Sequence, residues 1–287
     1  MPVLLLAGTT ASGKSSLAIE LAERHDAVIV SADAMTVYRG LDIGTAKPSP
    51  KEQSRVRHYG IDLREPDQDF DVSAFVGVVD EVRSKHDRII IAGGTTFWLS
   101  ALVRPLAELP PSEPDVRARL EDMDDPHSAL VAVDPEAANR LHPNDRVRVV
   151  RALEVHAITG LTQSELHERG PKTTPLAATA VWMDPADTYQ RINLRTLEMM
   201  EQGYLEEVRG LLNKGLARGL KPLKAFAYRH MVEHCLDGLD LDEAMRRTAR
   251  DTRHYAKKQR NWARTLGWIP MDPEAVKMTA EGLFSGR

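Results

Sequence analysis

Four short apolar runs punctuate a chain otherwise patterned for helices: PVLLLAG (2–8), AVIVSAD (27–33), RIIIAGGTT (88–96) and LAATAVWMD (176–184). Continuous apolar runs closed by glycine or an acid predict parallel strands buried on both faces, because a half-exposed strand would alternate. After the first run, Leu17, Ala18, Leu21 and Ala22 recur at helical spacing in SSLAIELAERH, and VSAFVGVVDEVRSKH repeats a helical pattern before the third. Strand alternating with helix predicts an α/β fold whose ligands sit at the C-terminal edge of a parallel sheet.

The pattern changes at LAELPPSEPDVRARL, where Pro105, Pro110, Pro111 and Pro114 interrupt the chain. From there to residue 177 no long apolar strand follows. EPDVRARLEDM, DPEAANRLH, NDRVRVVRALEVHAITG and TQSELHERG read as helices, so residues 111–177 are expected to form an all-helical insert in a core made of 1–110 and 178–287. Two long helical patterns close the core, ADTYQRINLRTLEMMEQGYLEEVRGLLNKG and LDEAMRRTARDTRHYAKKQRNWART.

Composition narrows the class without choosing a function. At 287 residues, 42% hydrophobic and 28% charged, the chain is an ordinary globular protein, and its net charge of -4 confines any polyanion site to a local patch. One cysteine, Cys235, excludes an internal disulfide and argues against structural zinc. MPVLLLAG lacks a basic leader and reads as a strand, and no run reaches the roughly 18 apolar residues of a membrane span, so a cytoplasmic location without membrane contact is expected.

Gly8, Gly13, Lys14 and Ser15 complete G-x-x-x-x-G-K-[ST] between a strand and a helix. In that context the loop, with Thr10, Ala11 and Ser12 between its glycines, turns backbone amides and a helix N-terminus toward a diphosphate. Lys14 would bridge the terminal phosphates and the Ser15 hydroxyl would hold Mg²⁺. A kinase or ATPase should also end an apolar strand in a magnesium-binding acid. RIIIAGG instead ends in Gly93 and Gly94, whereas AVIVSAD ends in an acid, Asp33.

SADAMTVYRGLDIGTAKPS (31–49), HYGIDLREP (58–66), AGGTTFWLSAL (92–102), HPNDRVRVVRALEV (142–155) and TRHYAKKQRNWAR (252–264) together resemble the bacterial tRNA dimethylallyltransferases, or isopentenylpyrophosphate transferases. The matches run in order along nearly the whole chain. The resemblance implies a P-loop NTPase-like core with a helical insert that clamps tRNA. It implies transfer of a dimethylallyl group from its diphosphate to N6 of adenine 37, with Mg²⁺ required, so that the loop grips the leaving pyrophosphate and not ATP. An adenine amino group is a weak nucleophile, and Asp33 at its strand end is the expected base. Of Arg191 and Arg195, four apart on one helix, Arg195 is favoured to stabilise the departing diphosphate, with Arg191 beside it. Thr95 matches a threonine near the tRNA and Arg117 a basic position at the start of the insert.

Arg246, Arg250, Arg253, Lys257, Arg260 and Arg264 alternate in spacing between four and three, which draws a cationic stripe along one helix, with Asp251 the one acid between its ends. Mutual repulsion gives an isolated helix no reason to carry it, whereas an RNA backbone would repay it through counterion release. Arg146, Arg148 and Arg151 form a second cluster on the insert. The chain also departs from the family: Asp33-Ala34-Met35-Thr36 stands for Asp-Ser-x-Gln, Val147-Arg148-Val149-Val150-Arg151 for Gln-Arg-x-x-Arg, Phe97-Trp98 ends the Gly-Thr motif, and Thr9 replaces a common proline. Ala34, Met35, Thr36 and Val147 are therefore expected at the tRNA with altered base-reading chemistry. A monomer is expected. Three rival readings stay open: a free-adenylate dimethylallyltransferase, a nucleotide kinase, and a non-catalytic RNA-binding relative.

Overall fold

The computed structural model describes residues 1–171 and 174–286. They form two compact units, Met1–Val103 with Ala177–Arg287, and Arg104–Leu176. The first boundary falls at the beginning of the proline-rich stretch, before Pro105, and not at its end.

The core unit opens with β1 (Val3–Gly8), α1 (Lys14–His25), β2 (Val28–Ala32), α2 (Pro50–Arg55), β3 (His58–Tyr59), α3 (Val72–Arg83), β4 (Ile89–Gly93) and α4 (Thr96–Val103). The second unit holds α5 (Pro114–Glu121), α6 (Pro126–Val133), α7 (Pro135–Arg140), α8 (Arg146–Thr159) and α9 (Gln163–Glu168). The core resumes with β5 (Thr179–Met183), α10 (Thr188–Glu201), α11 (Tyr204–Asn213), α12 (Lys221–Lys224), α13 (Arg229–Asp237), α14 (Leu241–Thr265) and α15 (Pro273–Ser285). The long helical pattern at 186–215 is broken where Gly203 turns to φ 95, a left-handed conformation that ends α10 and restarts the chain as α11.

The four apolar runs become β1, β2, β4 and β5 of a five-stranded sheet ordered β3-β2-β4-β1-β5, with every neighbour parallel. Their side chains alternate between two buried faces. Leu4, Leu6, Ile29, Ile90 and Val181 pack with Leu17, Leu21, Val276 and Phe284 of α1 and α15. Phe75 of α3, stacked on Trp98 of α4 at 4.8 Å between ring centroids, is buried with Leu99 elsewhere in the core.

Register sets the site. Ala7 of β1 and Ala32 of β2 both pair with Gly93 of β4, so the three strands end at one level and release their loops side by side. A Cβ on Gly93 would lie 2.1 Å from the Ala32 carbonyl oxygen, and one on Gly94 would lie 2.4 Å from Gln259. The glycines where the sequence offered no acid are therefore steric requirements of a close approach.

The second unit has its own small core of Leu130, Ala137, Ala138, Val149, Ala152 and Leu153. Helices α6 to α9 begin on side-chain caps, Asp125, Asp134, Asp145 and Thr162, whereas α5 starts at Pro114 without one. Glu154 is fully buried there, accepting from Ser112, from the Glu113 amide at 3.0 Å and from Arg151 at 2.6 Å, with Arg117 3.6 Å away. Burial alone would raise its carboxyl, but the Ser112 and Arg151 bonds outweigh it and hold it below the ordinary 4.5. Because the folded value is depressed, the stabilisation is present above pH 4.5 and is lost as pH falls below it. Glu154→Gln is expected to cost about 1–3 kcal/mol at neutral pH in urea unfolding, a gap from wild type that narrows in acid; a gap independent of pH would contradict this role.

Candidate active site

The loops after β1, β2 and β4 surround a cavity of 370 Å³ in the core unit, with Lys14, Ser15, Asp33, Thr95 and Arg195 on its wall. Its polar end is the phosphate loop. Gly8 closes β1, Ala11 and Gly13 take φ 60 and 85, and the Ser12 amide donates to the Thr9 carbonyl at 3.2 Å, which curls Thr10–Gly13 into a concave turn. Gly13 precedes α1 without any side-chain cap, so the first amides of that helix face an incoming anion. Lys14 folds back to the Thr9 carbonyl at 3.1 Å. Burial, and then the Arg195 cation, outweigh the attraction of Asp33 and lower the Lys14 ammonium to about 8. A bound polyanion would raise it again and hold the ammonium fully charged.

Asp33 leaves the end of β2 with Oδ1 accepting from the Met35 amide at 2.9 Å, an Asx-type turn that aims the carboxylate into the cavity wall. Thr95, at the equivalent end of β4, receives the Ala34 amide on its hydroxyl at 3.0 Å. The two strand ends are thereby tied. Thr36 is buried, its hydroxyl 3.0 Å from that of Ser31, while Ala34 and Met35 line the cavity. Arg195 reaches the same wall from α10, held among burial, Asp33 and Glu198.

A second wall is the segment Gly44–Pro48, and its shape depends on one carboxylate. Glu207 of α11 accepts the amides of Asp42, Ile43 and Gly44 at 2.8, 2.7 and 3.1 Å and the Tyr228 hydroxyl at 2.6 Å. Burial, reinforced by the Glu207 charge, pushes the Tyr228 phenol well above its usual range, so it stays a donor. Below, Lys47 is buried and ion-paired to Asp42 and Asp62 at 2.5 and 2.6 Å, and it donates to the Tyr38 carbonyl at 2.8 Å.

A protein-family model described as IPP transferase matches residues 36–266. The chain belongs to the IPP transferase family. It is 41% identical to the tRNA dimethylallyltransferase of Geobacter sulfurreducens over 98% of this chain and 96% of that one. The tRNA delta(2)-isopentenylpyrophosphate transferase of Staphylococcus epidermidis is similar in structure, with a TM-score of 0.69, 29% identity and 99% of each chain covered. A eukaryotic dimethylallyltransferase acting on tRNA superimposes with a TM-score of 0.78 at 25% identity, over 91% of this chain and 69% of that one.

Not every sequence-predicted residue reaches the cavity. Arg191 is exposed one turn out from Arg195 and is bound to Asp187 at 2.8 Å, because spacing of four sets direction around a helix and not depth along it. The Thr10 amide, expected on the diphosphate, donates at 2.9 Å to Gln259 instead, although the residue still lines the cavity. Arg260 lies at the edge of the α14 stripe and is engaged inward, by Asp184 at 2.8 Å and against the Tyr189 ring. Asp184 in turn accepts the Thr9 hydroxyl at 3.3 Å, which gives the residue standing for proline a partner.

The rest of the stripe faces outward: Arg246, Arg250, Lys257 and Arg264 are exposed, and Arg253 reaches Asn193 at 2.6 Å. Asp251 is drawn to Arg250, Arg229 and His230. In the second unit, Val147 and Arg148 are exposed and Arg148 pairs with Asp145, Arg146 donates to the Glu121 and Met123 carbonyls, and Arg117 and Arg151 share Glu154. Sequence reasoning missed Glu207, Lys47, Asp184 and Gln259. Lys47 and Gln259 stood inside quoted motifs but had no assigned role.

Glu207→Ala removes the acceptor for three amides and a phenol and is expected to cost about 1–3 kcal/mol while exposing residues 41–48 to limited proteolysis. A variant as stable and as resistant as wild type would deny Glu207 its role as the latch of that wall.

Proposed function

We propose that this chain transfers the dimethylallyl group of dimethylallyl diphosphate to N6 of adenine 37 in tRNA and releases diphosphate. The carrying observation is the convergence of two cations, Lys14 and Arg195, and one carboxylate, Asp33, on a single cavity at a phosphate loop. N6 attacks the allylic C1, the C1–O bond breaks with its electron pair passing to the diphosphate, and the N6 proton goes to Asp33. Lys14, Arg195 and the α1 amides receive the charge as it develops. Gly44–Pro48, with Met35 and the Thr95 end of β4, bound the space where the adenine and the allyl group meet.

Mg²⁺ fits this donor set. It binds through one or two protein oxygens and keeps waters and substrate phosphates for the rest, so the cavity-lining Ser15 hydroxyl suffices and a cluster of three acids is not needed. When bound it would neutralise part of the diphosphate charge.

An adenine within a stacked loop is beyond the reach of a carboxylate set in a cavity wall, so the base must be turned out to enter. The exposed cations of α14, with Val147, Arg148 and the arginines of the second unit, are proposed as the tRNA contacts. No helix among the described residues is long and apolar enough to cross a membrane. We read the protein as a cytoplasmic monomer.

Unmodified tRNA or AMP, incubated with dimethylallyl diphosphate, Mg²⁺ and protein and then digested to nucleosides, tests the reading. The prenyl mass should appear on tRNA adenosine and not on AMP; gain by AMP alone would favour the free-nucleotide enzyme, and gain by neither would remove the transferase. Asp33→Ala should lower turnover by about 10²–10⁴ with tRNA affinity retained. Lys257→Ala should weaken tRNA binding and reduce the slope of log affinity against log salt by about 1. An unchanged slope in filter binding across a KCl series would take that residue off the RNA.

A further inference from the structure

Among the groups the mechanism leaves unused, one buried amide joins two parts of the site. Gln259 of α14 is 1% exposed. Its Oε1 accepts the Thr10 amide at 2.9 Å, and its Nε2 donates to the Gly94 carbonyl at 2.8 Å. Thr10 belongs to the phosphate loop and Gly94 to the turn that presents Thr95. The Tyr255 hydroxyl, one helical turn earlier, donates to the same Gly94 carbonyl at 3.0 Å. Burial raises that phenol above its usual range, which keeps its proton in place. Thr95 then accepts the Ala34 amide beside Asp33, so hydrogen bonds joined through the Gly94–Thr95 and Asp33–Ala34 peptide bonds link the diphosphate cradle by way of Gln259 to the proposed base.

A primary amide suits this position for a chemical reason. The site needs one acceptor and one donor about two ångströms apart on a neutral group, since a full charge there would alter the field in which Lys14 and Asp33 work. Leu would leave an amide and a carbonyl unpaired. Asn would fall short by one methylene.

We propose that Gln259 is a positioning residue of the prenyl transfer: it sets the separation between the phosphate loop, which holds the leaving group, and the β2 and β4 ends, which hold the acceptor. This rests on the transfer reading of the cavity, but the clip itself can be tested without turnover. The near-attack geometry tolerates errors of well under an ångström, so releasing the clip should act on the chemical step and not on RNA binding.

Amide hydrogen exchange in Gln259→Leu, with thermal unfolding as the check that the variant is folded, should show Thr10 exchanging at least about tenfold faster than in wild type. Its kcat should fall about 10- to 100-fold while KM for tRNA and tRNA affinity change less than about twofold. Gln259→Glu supplies a second arm. A protonated carboxyl offers the same acceptor and donor as the amide, and burial favours that form, whereas the carboxylate would face the Gly94 carbonyl oxygen. The ratio of its kcat to wild type should therefore rise as pH is lowered from 9 to 6, following one proton. Lys14, Asp33, Arg195, Tyr255 and Arg260 surround the site in both proteins, so the ratio isolates residue 259. Unchanged Thr10 exchange, a folded Gln259→Leu with wild-type kcat, losses in tRNA affinity that equal the loss in kcat, or a Gln259→Glu ratio that stays low at every pH would each overturn the proposal. Absence of prenyl transfer in wild type would instead strike the function, with the exchange result still deciding the clip.

Discussion

The close approach of Gly93 to the Ala32 carbonyl is the constraint on which the site depends. Parallel strands pair with evenly spaced, slanted hydrogen bonds, and here the register brings β1, β4 and β2 to a common end. With no side chain at Gly93 or Gly94, the loops that leave those ends can touch. The phosphate loop, Thr95 and Asp33 are then neighbours by topology, before any catalytic side chain is considered. An acid in the place of Gly93, as a magnesium-binding strand end would require, has no room.

Around that junction the chain balances charge tightly. Lys14 and Arg195 are two cations brought together in a desolvated pocket, an arrangement that depresses the lysine and favours binding of a polyanion over leaving the pocket unfilled. Asp33 offsets part of their repulsion without pairing directly with either. Helix α14 serves the site from its inner face through Gln259, Tyr255 and Arg260 and leaves Arg246, Arg250, Lys257 and Arg264 outside. One helix thus carries both the support of the phosphate loop and the cations proposed for RNA.

The strands were legible because a doubly buried parallel strand has a plain signature, and the phosphate loop because its glycines lie between such a strand and a helix. Helices α5, α7, α8 and α9 fall within segments read as helical, whereas α6 was not read although Asp125 and Pro126 mark its start. Two-residue β3 could not, since His58 and Tyr59 are placed by Ile29 and Val30 of the neighbouring strand and carry no local pattern. Periodicity likewise put Arg191 with Arg195 and Arg260 with the stripe, but it is blind to depth and partners: Asp187, one turn away, claims Arg191, and Asp184, distant in sequence at the end of β5, claims Arg260. Glu207 was invisible for the same reason. Its three amide partners lie more than 160 positions away.

The claim that this phosphate loop holds the diphosphate of an allylic donor is tested most directly by titration calorimetry with Mg²⁺ present, comparing dimethylallyl diphosphate, inorganic pyrophosphate and ATP. The account predicts that the first two bind and compete for one site that Lys14→Ala abolishes, and that no phosphate is released from ATP. Tight capture of ATP with loss of its terminal phosphate, and no heat from the isoprenoid diphosphate, would contradict it.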